Sequence, residues 1–215
     1  MRFVKLQLAL LLVVVLVVAA LGADVLLKRR AESRLAAEVT AQSPDTNGVR
    51  ARIRSFPFLA RLLTSGKVAQ VDITAQHAEP GGLALSDLFV ELDEVELDPD
   101  QARKGRAVVR SIKRGRVRAD LGQDQINSRL PSQFQVQLEQ GRAVINGPGG
   151  TEGKLAISPK GMIQLRIGSR SLLDLPVPDT DLLPCRPSAT FVTGALRLSC
   201  EFTEVPPLLL DLARA

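Results

Sequence analysis

The chain has 215 residues, 45% of them apolar, enough for one domain with a real core and at most a small appendage. Seven Phe are its only aromatics, so the core is built from Val, Leu, Ile and Ala, and the Tyr and Trp platforms on which single-stranded nucleic acid stacks are missing. A net charge of +5 admits anionic partners without demanding them.

The first feature is the uncharged run Leu6 to Ala23, preceded by Arg2 and Lys5 and interrupted only by the polar Gln7. As a helix it spans about 27 Å at about 1.5 Å per residue, which suits a short membrane span or a signal-peptide core. Ala20-Leu21-Gly22 offers a cleavage site, whereas the helical pattern continues through Leu27, Ala31, Leu35 and Val39 with i,i+4 pairs Lys28/Glu32 and Arg34/Glu38. Both alternatives, cleaved signal and anchor, place the remainder outside the cytoplasm. The expected organisation is residues 1–23 as signal peptide or transmembrane anchor, 24–43 as helical stalk or core helix, and 44–215 as a β-rich domain, with a turn-rich break from Ser43 to Gly48.

Arg50, Arg52 and Arg54 lead into Phe56-Pro57-Phe58-Leu59-Ala60-Arg61-Leu62-Leu63-Thr64-Ser65-Gly66, which reads as a short helix with Pro57 in its first turn and Gly66 as its stop. It is either packed on a sheet or a lip that meets lipid tails, with arginines near the headgroups. Short strands with period-two alternation follow at 69–75, 88–97, 133–139, 155–157, 163–167 and 196–202, in an antiparallel-looking order of about eight strands. A change of phase at Val95 and Leu97 marks a bulge or bend. Ser158-Pro159-Lys160-Gly161 is a hairpin turn, and Asp124 to Leu130 is a short helix with Asp124 as its N-cap and Ile126 and Leu130 on one face. The strand-helix-strand rhythm of a Rossmann fold is missing.

Catalytic signatures are thin, and none of the catalytic motifs sought is found. His77, just after a strand, reads as a solvated loop residue. Gly147 to Lys154 resembles a phosphate loop only superficially, with Leu155 where a Ser or Thr would hold magnesium. Two cysteines and one distant histidine do not make a metal site. Cys185 and Cys200 form either a disulfide, worth roughly 3 kcal/mol for a loop of that length, or two buried thiols. The acidic block Asp87, Glu91, Asp93, Glu94, Glu96, Asp98 and Asp100 reads as the wet face of a strand. The basic block Arg103, Lys104, Arg106, Arg110, Lys113, Arg114, Arg116 and Arg118 either engages phospholipid headgroups or anionic glycans or pairs with the acidic block.

The segment Ser55 to Ile73, with its F-P-F-L element followed by S-G-x-x-x-x-V-x-I, resembles the LmeA-like phospholipid-binding proteins of actinobacterial envelopes. The likeness extends over nearly the whole chain, through the Ala-rich helix Ala31 to Ala41, the Gly82-Leu83-x-Leu85-x-Asp87-Leu88 run, Leu182-Leu183-Pro184 and the final strands. Ser55 stands where Gly is expected, and the two cysteines are a local variation. The resemblance implies an α+β fold: an elongated, curved antiparallel sheet wrapped on a long N-terminal helix, similar to tubular lipid-binding proteins, with an apolar groove for acyl chains. It implies a non-catalytic protein without cofactors whose ligand is a phospholipid or lipoglycan precursor, at the membrane, in support of envelope lipoglycan biogenesis. On that reading the acyl-chain contacts are Phe56, Phe58, Leu59, Leu62, Leu63, Val71 and Ile73, and the headgroup contacts Arg52, Arg54, Arg110 and Arg114. The competing expectations are an envelope scaffold recruiting a glycosyltransferase, and a glycan hydrolase using Glu91, Asp93 or Glu94. Nucleic acid is not an expected partner.

Overall fold

The computed structural model describes residues 2–42, 45–79, 84–98, 100–101, 108–147, 151–157, 162–167, 170–176, 185 and 187–205, with the backbone alone at 2–20, at 151–157 and over most of 162–176. In chain order the elements are α1 (Arg2–Gln42), β1 (Thr46–Asn47), β2 (Arg50–Ile53), α2 (Phe58–Ser65), β3 (Lys67–Ala78), β4 (Leu85–Leu97), β5 (Val109–Ser111), β6 (Arg114–Gly122), α3 (Gln123–Asn127), β7 (Gln135–Glu139), β8 (Arg142–Asn146), β9 (Thr151–Ile157), β10 (Met162–Ile167), β11 (Arg170–Pro176), β12 (Ser188–Val192) and β13 (Ala195–Phe202). Thirteen strands thus stand among the described residues where about eight were expected. The Ser43-Pro44 break, the 158–161 turn, residues 148–150 of the glycine loop and the cations Arg103, Lys104 and Arg106 lie outside the described residues.

All pairings are antiparallel. The large sheet runs β1-β3-β4-β6-β13-β12, with β2 also paired to β3 and β5 to β4; β7 to β11 form a second, five-stranded meander. The result is the expected α+β architecture of a helix with a large sheet that does not close into a barrel. Alternation explains the large sheet. Val71, Ile73 and Ala75 lie opposite Leu92, Val90 and Leu88. Val90 and Leu92 lie opposite Val117 and Gly115, and Val117, Ala119 and Leu121 lie opposite Cys200, Leu198 and Leu196. One face is therefore a continuous apolar surface, most of it buried. The expected change of phase is real: Glu94 adopts the left-handed backbone (φ 48°), and beyond it Val95, with Val68 opposite, turns into the core.

Helix side chains cap two of the edge strands, β2 and β7. On α1, Ala31 and Leu35 are half-buried and Val39 is buried against the core, as their spacing requires. Glu32 does not use its carboxylate on Lys28 as expected but accepts the backbone N–H of Ile53 (2.8 Å), capping the edge strand β2. On α3, Asn127 both accepts from Val136 N–H (2.7 Å) and donates to Val136 C=O (3.0 Å), and Gln123 accepts from Leu138 N–H (2.7 Å), so two amide side chains extend the ladder of β7. Gly122, in extended conformation, is the N-cap of α3; Asp124 sits inside the first turn, where its charge suits the helix dipole, and is not the cap. Ile126 and Leu130 are buried as expected. His77 lies within β3, one residue from its end, with Nε2 2.9 Å from Glu79 Oε1, not in a loop. Cys185 and Cys200 are joined in a disulfide with 5.9 Å between Cα atoms, which staples the segment before β12 to β13.

The ring of Phe202 lies over Gly115 on the neighbouring strand, and a Cβ at position 115 would sit 2.2 Å from its Cζ. Gly115→Ala is therefore expected to lower stability by about 1–3 kcal/mol through overpacking. Gly122→Ala, where an added Cβ meets nothing within 4 Å but the position is the N-cap of α3, is expected to cost less, about 0.5 kcal/mol; urea unfolding of the two variants measures both.

Candidate functional site

The segment Phe56 to Leu63 is where α1, α2 and the large sheet meet. Helix α2 begins after Pro57, which is its N-cap and not its first helical residue, and it ends at Gly66 in the left-handed conformation (φ 67°), as expected of that glycine. Pro57 brings no side-chain cap, and the peptide bond before it is cis. The orphan N–H groups of α2 are instead satisfied from 34 and 35 residues away: the Asp24 carboxylate accepts from Phe58 N–H (3.1 Å) and Leu59 N–H (2.6 Å). Asp24 is 4% exposed. A carboxylate is tolerated there because two N–H groups and the positive end of the helix dipole converge on it.

This contact sorts the expected acyl-chain residues into two groups. Phe58 is 5% exposed and belongs to the core, and Leu59 and Leu62 pack half-buried against it. Val71 and Ile73 are buried on the apolar face of β3. Phe56 and Leu63 point outward, 70% and 51% exposed. The segment is thus both a packed helix and an exposed lip. Leu21, Val25, Leu26 and Leu27, which flank Asp24 on α1, are exposed as well. Ser55 does not adopt the left-handed backbone for which a glycine would be required; it is buried, and its Oγ has no partner among the described residues.

The expected headgroup residues divide in the same way. Arg54 bonds Asp72 (2.7 Å), Arg110 bonds Asp98 (2.7 Å) and Arg114 bonds Asp93 (2.8 Å). They belong to a charge ladder on the wet face of the large sheet that also joins Lys113 to Glu94 (2.5 Å), Lys67 to Glu96 (2.6 Å) and Arg116 to Glu91, while Asp120 takes two bonds from Arg197 (2.7 and 2.6 Å). The acidic and basic blocks therefore neutralise one another across β4, β5 and β6. Arg118 lies over the ring of Phe89, 5.2 Å from its centroid. Hydrogen bonds and charge from Lys67, together with the Ser111 hydroxyl, hold the Glu96 carboxyl below its ordinary value of 4.5. Backbone N–H groups of Gln101 and Asp100 and the Arg110 guanidinium hold Asp98 below 3.8. The same Glu96 contact raises Lys67.

Arg52 is different. It is exposed on β2 and lines a cleft of about 630 Å³ between α1 and the wet face, with Val25, Lys28, Arg29, Arg50, Arg54 and Phe89. Among the described residues Lys28, Arg29, Arg50 and Arg52 have no ion pair. A second cleft, about 940 Å³, lies where α2 meets the ends of β3, β4 and β13; of its charges Lys67, Asp93, Glu94, Lys113 and Arg114 belong to the ladder, and Arg61 and Glu201 do not. Asp24, Lys28 and Arg29 were not expected at a site. The signal in the sequence was their position, directly after an uncharged run.

Among the described residues no helix is long and apolar enough to cross a membrane; the side chains of 6–20, most of the expected signal or anchor, lie outside them. A family model described as LmeA-like phospholipid-binding matches residues 22–202. No curated protein and no solved structure matches the chain.

Asp24→Ala removes both acceptors from α2 and is expected to cost about 1–2 kcal/mol, with faster amide exchange at Phe58 and Leu59 as the local sign, read by hydrogen-exchange mass spectrometry. The depressed carboxyls contribute stability that is present above their unfolded values and lost as pH falls. The urea midpoint is therefore expected to drop as pH is lowered through 4.5 and 3.8, and the drop is shallower in Glu96→Gln.

Proposed function

The chain belongs to the LmeA-like phospholipid-binding family, and on that premise we propose that it is an extracytoplasmic protein that holds or carries phospholipid acyl chains against the apolar side of its curved sheet, in support of envelope lipoglycan biogenesis. The observation that carries this reading is the extent of the match: residues 22–202 include every described strand and all of α2 and α3. The physical chemistry agrees. Each buried CH₂ of a lipid tail contributes about 0.8 kcal/mol, so two long chains drive binding without covalent chemistry, and the carboxylates that a glycan hydrolase would need are engaged as ion-pair partners in the ladder. We read the protein as a binding protein rather than an enzyme on those grounds.

Two features support a place outside the cytoplasm. The Cys185–Cys200 disulfide suits an oxidising compartment, and the uncharged run from Leu6 suits an export signal or an anchor at residues 1–23. The test is extraction of the purified full-length chain followed by mass spectrometry of the extract. Phospholipid or a lipid-linked glycan precursor is expected at about one molecule per chain; the reading fails if no lipid is recovered and added phospholipid is not taken up.

A further inference from the structure

Four cations and six apolar side chains lie unpartnered around one corner of the molecule, and the Asp24 bonds hold that corner together. On α1, Leu21 to Leu27 fall within about one turn of Asp24 on either side. At 100° per residue Leu21, Val25, Leu26 and Leu27 point in three different directions, and Asp24 takes the fourth. The helix is thus apolar on every side except the one that bonds α2, a pattern at home in hydrocarbon rather than in water. Leu26 is 65% exposed. Phe56 precedes the two amides that Asp24 accepts, and Leu63 lies on the outer face of the same short helix.

Immediately beyond this apolar group comes charge. Lys28 and Arg29 follow Leu27, and β2 brings Arg50 and Arg52 to the opposite wall of the cleft, which shares Val25 with the apolar group. Of its two acids, Asp72 is paired with Arg54, and Glu32 accepts the Ile53 N–H and keeps a charge that offsets one of the four cations, so the cleft is net positive. Every other strong cation cluster described on the large sheet is neutralised by the ladder. The order along the molecule is therefore hydrocarbon, then net positive charge, then a charge-neutral sheet face.

We infer that this corner is a docking surface for a lipid bilayer carrying anionic headgroups, in which Phe56, Leu63 and the exposed leucines of α1 enter the acyl region and Lys28, Arg29, Arg50 and Arg52 meet the phosphates. The charge argues for this occupant: a protein partner would bury four cations against matching acids, whereas an anionic leaflet offers phosphates at the level where an apolar wedge about 5–10 Å deep ends. The wedge continues in sequence into the uncharged run from Leu6 to Ala20. The inference rests on the phospholipid reading above, and it adds where the protein meets its source of lipid.

The chain contains neither Trp nor Tyr, so a single introduced Trp is the only strong emitter. Full-length Phe56→Trp and Leu63→Trp, both at exposed positions, are reconstituted into phosphatidylcholine vesicles with and without phosphatidylglycerol, using lipids brominated near the headgroup end of the acyl chains. Gln135→Trp, exposed on β7, is the control. Blue-shifted emission and about twofold or greater quenching are expected at 56 and 63 and not at 135, because only a buried ring contacts bromine. In phosphatidylglycerol vesicles Arg52→Glu in the Phe56→Trp background shifts the docking equilibrium about fivefold or more toward the undocked form. Unquenched emission at both 56 and 63, or equal quenching at 135, overturns the surface; quenching indifferent to phosphatidylglycerol and to Arg52→Glu overturns the role of the cations. The two readings fail separately. A chain that yields extracted lipid but shows no quenching keeps the binding function and loses this surface, and quenching without extractable lipid does the reverse.

Discussion

Long antiparallel strands that present an unbroken apolar row to one side force the intervening residues to the other, and here those residues are charged. β4 alone spans 13 residues, about 43 Å at about 3.3 Å each. Its outward positions are mostly acids, and the strands beside it answer with cations: Arg116 to Glu91, Arg114 to Asp93, Lys67 to Glu96. Exposed pairs of this kind contribute only about 0–1 kcal/mol each, so the ladder is not what makes the domain stable. Its role is permissive. Like charges at the same positions would oppose every pairing, and the apolar face formed by Val71, Ile73, Leu92, Val117, Leu198 and Leu196 would have no sheet to lie on.

The same alternation is what the sequence shows most openly, and its limits are instructive. β3, β4, β7, β10 and β13 are readable because Val, Leu and Ile recur at alternate places, joined by Ala in β3 and by Cys200 and Phe202 in β13. β6 carries the same period in Gly115, Val117, Ala119 and Leu121, but two of the four are too small to register as hydrophobic beside three arginines and an aspartate, so the segment looks like a run of cations. The basic block alone is compatible with headgroup contact or with pairing to the acidic block, and the antiparallel register of β4 and β6 sets its described members against the acids.

Contacts that depend on chain reversal left no local trace. Glu32 reaches Ile53 across 21 residues and Asp24 reaches Phe58 across 34, and both side chains had plausible local roles, an i,i+4 pair and the end of an uncharged segment. The F-P-F-L element was legible as a helix with an apolar face, but not which of its residues faces the core. That division is set by the direction in which α2 leaves the sheet, and Asp24 fixes it. With Phe58 drawn inward and its amide held, Phe56 has nowhere to go but out.

Cations of one chemical type therefore serve two ends, and composition does not distinguish them. Arg110, Arg114 and Arg116 are spent within the ladder, where each lies against a carboxylate and produces little field beyond a Debye length of about 10 Å. Lys28, Arg29, Arg50 and Arg52 form no ion pair among the described residues and lie on two elements, α1 and β2, that are held together by Glu32. Glu32 offsets only one of these four charges. Its carboxylate caps the edge strand through a neutral backbone amide, and with Asp72 paired to Arg54 the cleft keeps a net positive charge.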